Sequence, residues 1–164
     1  MILDDVLNAF GISGLSEEQV VHLNRVWHRL DPWPDAVEGL TRLKSRFTIC
    51  TLSNGNIGLL TNMAKRAGLP WDCILSAEVF RAYKPHPDTY LGVAKTFDLE
   101  PGQVMLAAAH QSDLDAAAKL GLRTAFINRP DEFGPTRGNK DTGSPKNDYQ
   151  CESIIDLADK LSCP

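Results

Sequence analysis

The chain lacks most of the features that mark specialised protein classes. No stretch reaches the ~18 consecutive apolar residues of a membrane span, so no membrane role is expected. Basic residues are in deficit, with 17 Lys and Arg against 21 Asp and Glu and a net charge of -4. That balance excludes the basic footprint of a nucleic-acid binder. The opening stretch MILDDVLNAFGISG carries two aspartates and no basic region, which is not how a secretory signal begins. Only four cysteines occur, at 50, 73, 151 and 163, with no C-x-x-C pair and no zinc-finger spacing to histidine. A disulfide scaffold is excluded, and the thiols of Cys50 and Cys73, set in apolar runs, read as small hydrophobes in preference to redox or metal ligands. This cysteine usage predicts a cytoplasmic protein. What remains is an ordinary globular mixture, 43% apolar and 23% charged over 164 residues, enough for one packed core.

The first segment reads as helical. Ser16-Glu17-Glu18-Gln19 is a capping box, and Val20, Leu23, Trp27 and Leu30 form one apolar stripe behind it. Pro32 and Pro34 break the chain. Asp35 to Glu38 restarts it as a box-like cap, predicting a helix to about Arg46 with Val37, Leu40 and Leu43 facing inward. The period then changes. Strands are predicted at 47–52, 72–77, 104–108 and 123–127. Helices are predicted at 57–67, closed by Gly68, at 87–97 with Pro87 in the first turn, at 113–120, and at 152–161. Residues 128–150, rich in Pro, Gly, Asp, Asn and Lys, read as one long polar loop. Alternating strands and helices mean an α/β fold with a parallel sheet, whose ligands bind at the carboxyl ends of the strands.

Three segments follow those ends. Ser53-Asn54-Gly55 places a hydroxyl and an amide before a helix N-terminus, which serves either as a plain cap and turn or as a seat for an anion. In Tyr83 to Tyr90 two prolines stiffen the loop around Lys84, whose ammonium is either a surface charge or a partner for an anion or carboxylate. In Ala108 to Asp115, Asp113 reads as the cap of the next helix and also points toward the same cleft. His110 reads as a polar contact or a satisfied loop histidine rather than a base. His22, His28 and His86 read as surface or packing residues, and no metal site is expected.

Taken in order, these segments resemble the haloacid dehalogenase superfamily of hydrolases, and within it the 2-haloacid dehalogenase (type II) branch. The likeness rests on Trp-x-x-Leu-x-Pro-Trp-Pro-Asp at 27–35, Leu-Ser-Asn-Gly at 52–55, Tyr-Lys-Pro-x-Pro-x-x-Tyr at 83–90, Ala-Ala-His-x-x-Asp-Leu at 108–114 and Arg-Pro-x-x-x-Gly-Pro at 129–135. The resemblance implies a Rossmann-like three-layer core over residues 33–164 and part of a helical cap over 1–32. It implies hydrolytic dehalogenation of a small 2-haloacid through an aspartyl ester. Ser53 and Asn54 would position the anionic substrate, Lys84 would pair with the nucleophile, and Tyr90 would pack and hydrogen-bond beside the site. Asp113 would orient or activate the hydrolytic water, and His110 would stand at a substrate-side position. No cofactor is implied; Mg²⁺ enters only under the alternative of a metal-dependent phosphatase of the same superfamily. A non-catalytic anion- or partner-binding protein is the third reading.

The family's first motif, an apolar strand ending in Asp-x-x-Gly-Thr, is not found in this sequence, and Met1 to Leu7 resembles the cap instead. The expectation is therefore a core without its first strand, which would lie between the strands at 47–52 and 103–108. Such a chain is expected to be inactive alone, and homo-oligomers are expected as one way to cover the exposed slot.

Overall fold

The structure, a computed structural model, describes residues 2–134 and 137–164. Met1 and Pro135, the last residue of the Arg129-to-135 run, lie outside the described residues. Helix α1 (Ile2–Ala9) is followed by α2 (Glu17–Asn24), and the Ser16–Gln19 capping box forms as the sequence requires, with Ser16 Oγ accepting from Gln19 N at 3.2 Å and Gln19 returning the bond at 2.8 Å. The predicted stripe does not stay on one helix. The chain tightens after Asn24 into a 3-10 turn at Val26–Arg29, so Trp27 and Leu30 leave the α2 face and remain exposed. That turn docks on α4 (Ile57–Ala67), where Asn62 meets His28 at 2.8 Å and Arg66 meets Asp31 at 3.0 Å.

Helix α3 (Ala36–Lys44) carries Leu40 and Leu43 into the core, whereas Val37 is exposed, contrary to the predicted inward stripe. Strand β1 is Cys50–Ser53 rather than 47–52. Its start is delayed because the Ile49 N–H donates to the Asp72 carboxylate at 2.9 Å and not to a strand neighbour. Helix α4 follows, capped by Asn56 and closed by Gly68 at φ 67, where a glycine avoids the left-handed penalty. Strand β2 (Cys73–Ser76) pairs with β1 in parallel, and a short α5 (Ala77–Phe80) leads to α6 (Pro87–Thr96) with Pro87 at its first turn. Strand β3 (Met105–Ala108), helix α7 (Gln111–Ala118) and strand β4 (Arg123–Ile127) come next. Strand β5 (Tyr149–Cys151) begins inside the 128–150 segment predicted as loop and joins the edge of β4, and α8 (Ile154–Lys160) ends the fold.

All strand pairs are parallel, in two pieces: β1-β2 and β3-β4-β5. Among the described residues β1 pairs only with β2, and β3 pairs with β4 alone. Successive residues of a strand face opposite sides, and the core divides accordingly. Met105, Ala125, Ile127 and Cys151 pack with Leu40, Leu43 and Leu157 of α3 and α8. Leu52 and Leu106 pack with Tyr90 of α6 and Ala117 of α7. Helices thus cover both faces, giving the three-layer α/β arrangement. All four cysteines are free. Burial and the neighbouring Cys73 and Asp72 push the Cys50 thiol up to about 11, which keeps it protonated and unreactive at neutral pH.

Gly39 marks a close contact between α3 and α8. A Cβ there would stand 2.7 Å from Ile154 Cγ2 and 2.8 Å from the Ile154 carbonyl carbon. Alanine gains about 1 kcal/mol of helix propensity, but backbone overlap between α3 and α8 has no cheap relief. Gly39→Ala is expected to cost about 1–2 kcal/mol net and to lower Tm by roughly 2–8 °C in a thermal melt. An unchanged or raised Tm would mean that the two helices can separate freely.

Candidate active site

The segments that follow β2 and β3 bring three predicted residues into one cluster. Lys84 Nζ donates to Asp113 Oδ2 at 2.5 Å, and Tyr90 OH donates to Asp113 Oδ1 at 2.7 Å. Both oxygens of one carboxylate are therefore engaged. Lys84 and Asp113 side chains are only 18% and 17% exposed, so the pair is screened far less than a surface ion pair. Tyr90 is fully buried. Its burial, then its hydrogen bond to Asp113 and the carboxylate charge, push the phenol well above its ordinary value of 10, which fixes it as a donor.

Each member is held by its own element. Tyr90 projects from the first turn of α6, behind the stiff Lys84-Pro85-His86-Pro87 loop, whose first peptide bond is cis. Asp113 does not cap α7, as the sequence suggested: His110 occupies the cap position, and Asp113 sits within the first turn with its carboxylate directed at Lys84 and Tyr90. Physically, two cationic or hydroxyl donors outcompete a backbone N–H for a carboxylate.

Asn54 does something the sequence did not suggest. Its side chain clamps the Lys84 backbone from both sides: Lys84 N donates to Asn54 Oδ1 at 2.7 Å, and Asn54 Nδ2 donates to Lys84 O at 3.2 Å. Ser53 ends β1 beside it, with Oγ accepting from Gly55 N at 3.0 Å and its own hydroxyl proton left to donate. Ser53 makes no bond to Lys84 or Asp113. His110 bonds none of these side chains; its Nε2 stands 3.0 Å from the Glu132 carboxylate.

The segment after β4 was read as plain loop, yet it is pinned to the site's rim. Glu132 also accepts from Asn139 at 2.8 Å. Asp141 accepts from Gln111 N at 2.6 Å, satisfying the open first turn of α7 that the Asp113 carboxylate does not serve. Arg129 stacks 4.9 Å over Trp33 and donates to Asp35 at 2.8 Å, while Asp35 also accepts from Ile154 N at 2.6 Å. Asp35 thus makes no side-chain cap on α3, contrary to the box predicted for it. Burial alone would raise its pKa; the hydrogen bonds from Arg129 and Ile154 and the Arg129 charge outweigh that and hold it below 3.8. The signals for these contacts were the 27–35 and 129–135 motifs, whose residues carry no visible sign that they meet.

Asp148 is likewise held below 3.8, first by the Thr124 N–H and then by Arg123, with burial opposing. Depressed carboxylates contribute stability that is complete above their unfolded value and lost as pH falls through the lowered native value. Stability is therefore expected to be flat from neutral pH to about 5 and to fall below about 4, as read by urea midpoints across pH. Stability that rises below pH 4 would contradict these pairings.

The α/β core thus gathers an ammonium, a carboxylate and a phenol at its strand ends. The sequence model of the haloacid dehalogenase-like hydrolases matches residues 3–121, and the chain belongs to that family. Its likeness falls on the 2-haloacid dehalogenase branch. It is 34% identical over 123 residues to (S)-2-haloacid dehalogenase 4A of Burkholderia cepacia, covering 70% of this chain and 53% of the relative. Its shape matches two solved structures, each with a TM-score of 0.92. One is the defluorinating L-2-haloacid dehalogenase Rha0230, at 47% identity over 98% of this chain and 66% of the other. The second is the L-2-haloacid dehalogenase PA0810, at 42% identity over 98% and 68%. The chain spans about half the length of the curated relatives it matches. No helix among the described residues is long and apolar enough to cross a membrane.

Proposed function

We propose that these residues serve the hydrolytic dehalogenation of a small 2-haloacid, and that they supply the substrate-side and water-side parts of the site. The observation that carries this reading is the Lys84–Asp113–Tyr90 cluster at the strand ends, next to Ser53. In this reading a nucleophilic carboxylate stands on a strand between β1 and β3, along the edges that have no partner among the described residues. One of its oxygens attacks the carbon bearing the halogen, the carbon–halogen bond breaks, and halide leaves with the electron pair. Lys84 steadies the nucleophile's charge, and Ser53 donates its hydroxyl to the substrate carboxylate. Water then attacks the ester carbonyl, Asp113 takes the water proton, and the 2-hydroxy acid leaves as the carboxylate is restored. Asp113 is not assigned as the nucleophile, because it follows β3 and not the strand proposed between β1 and β3. This chain without such a strand is therefore expected to be inactive.

The donor set does not fit Mg²⁺. A hard cation wants free carboxylate oxygens, and among the described residues the cluster offers one carboxylate, with an ammonium 2.5 Å from it. That favours dehalogenation over a metal-dependent phosphatase. Titrating the chain with (S)-2-chloropropionate under NMR observation is expected to move the amides of 53–55 and the Lys84 side chain first. Shifts confined to other surfaces would overturn the assignment.

A further inference from the structure

A cleft of about 340 Å³ opens beside the same strand end, lined by Asn54, Gly55, Asn56, Glu78, Arg81 and Tyr83 among others. That volume is near the lower limit of ligand pockets, about 300 Å³, and suits a molecule of a few heavy atoms. Asn54 and Gly55 belong both to this cleft and to the turn that carries the site, so the two are continuous.

Arg81 gives the cleft its character. The guanidinium has no hydrogen-bond, ion-pair or ring partner among the described residues, and it is exposed. Its backbone closes α5 in the left-handed region at φ 53 and ψ 30. Glycine is the usual residue there, and a side chain in that region is strained. Glu78, the cleft's acid, is turned onto the first turn of α4, where it accepts from Ile57 N at 2.9 Å. Tyr83 stands 71% exposed at the rim. An open guanidinium fork held at a strained position, next to a site for an anion, is suited to a planar carboxylate.

We propose that this cleft is a subsite for a second carboxylate, bound by Arg81, so that the acids taken at this site include four-carbon 2-halo diacids. The proposal rests on the dehalogenase reading above for the position of the first carboxylate. An open rim leaves the ion pair partly solvated, so the gain in affinity is modest, about three- to fivefold, and it shrinks with salt.

Equilibrium binding of succinate and propionate to this chain tests it without turnover. Succinate is expected to bind three- to fivefold tighter at low salt. Arg81→Asn tolerates the left-handed backbone, so it keeps the fold while abolishing the preference; Arg81→Lys retains part of it. Ser53→Ala is expected to weaken both acids alike. Equal affinities, or a preference that survives Arg81→Asn, would overturn the subsite. If propionate still binds through Ser53 in that case, the dehalogenase reading stands without it. Succinate binding that depends on Arg81 and ignores Ser53 would keep the subsite and sink the parent reading. Binding of neither acid would overturn both.

Discussion

Arg129→Ala is expected to destabilise the protein by about 3–5 kcal/mol, read as a large drop in the urea midpoint. Arg129 joins three places far apart in sequence: Trp33 before α3, Asp35 at the start of α3, and the start of α8 through the shared Asp35 carboxylate. Its side chain is 11% exposed and that of Asp35 is 12% exposed. Removing the cation strands a nearly buried carboxylate with one backbone N–H for a partner. The cost is therefore mostly the uncompensated charge, not the lost pair. That account makes a second, sharper expectation. Asp35→Asn in the Arg129→Ala background is expected to recover part of the loss, because the amide oxygen still accepts from Ile154 N while the charge is gone. If the double variant is less stable than Arg129→Ala alone, the charge is not the problem and the packing of Arg129 on Trp33 is.

Asp113→Asn carries the largest expected effect on activity. In a chain extended by a nucleophile-bearing strand, it is expected to lower steady-state halide release by about 10²–10⁴-fold, since the amide cannot take the water proton. The first half-reaction needs no such base. One halide per site is therefore expected in a burst, and mass spectrometry is expected to find the protein heavier by the acyl remnant of the substrate. Loss of the burst as well would move Asp113 from the hydrolytic step to the alkylation step.

The parts of this fold legible in sequence are those set by local chemistry. The Ser16 box, the Gly68 terminus and Pro87 at the start of α6 each act within four residues, and each forms where expected. The three segments after the strands were also legible, because a hydroxyl, a proline-stiffened lysine and an acid stand out there. What failed were the long-range contacts. Asp35 looked like a cap because nothing in its neighbourhood reveals Arg129 or Ile154. Strand β5 was hidden in polar sequence because its pairing with β4 supplies what Tyr149-Gln150-Cys151 lacks in propensity. Asp113 read both as a cap and as a cleft residue, because only the fold shows that Lys84 and Tyr90 take its carboxylate. Asn54 read as a substrate contact, and nothing near it in sequence revealed that its amide clamps the Lys84 backbone.

The central claim is that Lys84, Tyr90, Asp113 and Ser53 are the substrate-side and water-side parts of a metal-free dehalogenase site. The most direct test is halide release from (S)-2-chloropropionate by the strand-extended chain, with and without Mg²⁺, alongside Lys84→Met. Release that needs no metal and falls about 10²–10³-fold on Lys84→Met is predicted, since removing one fixed electrostatic donor has that scale. Release that requires Mg²⁺, or that is indifferent to Lys84, would contradict the account.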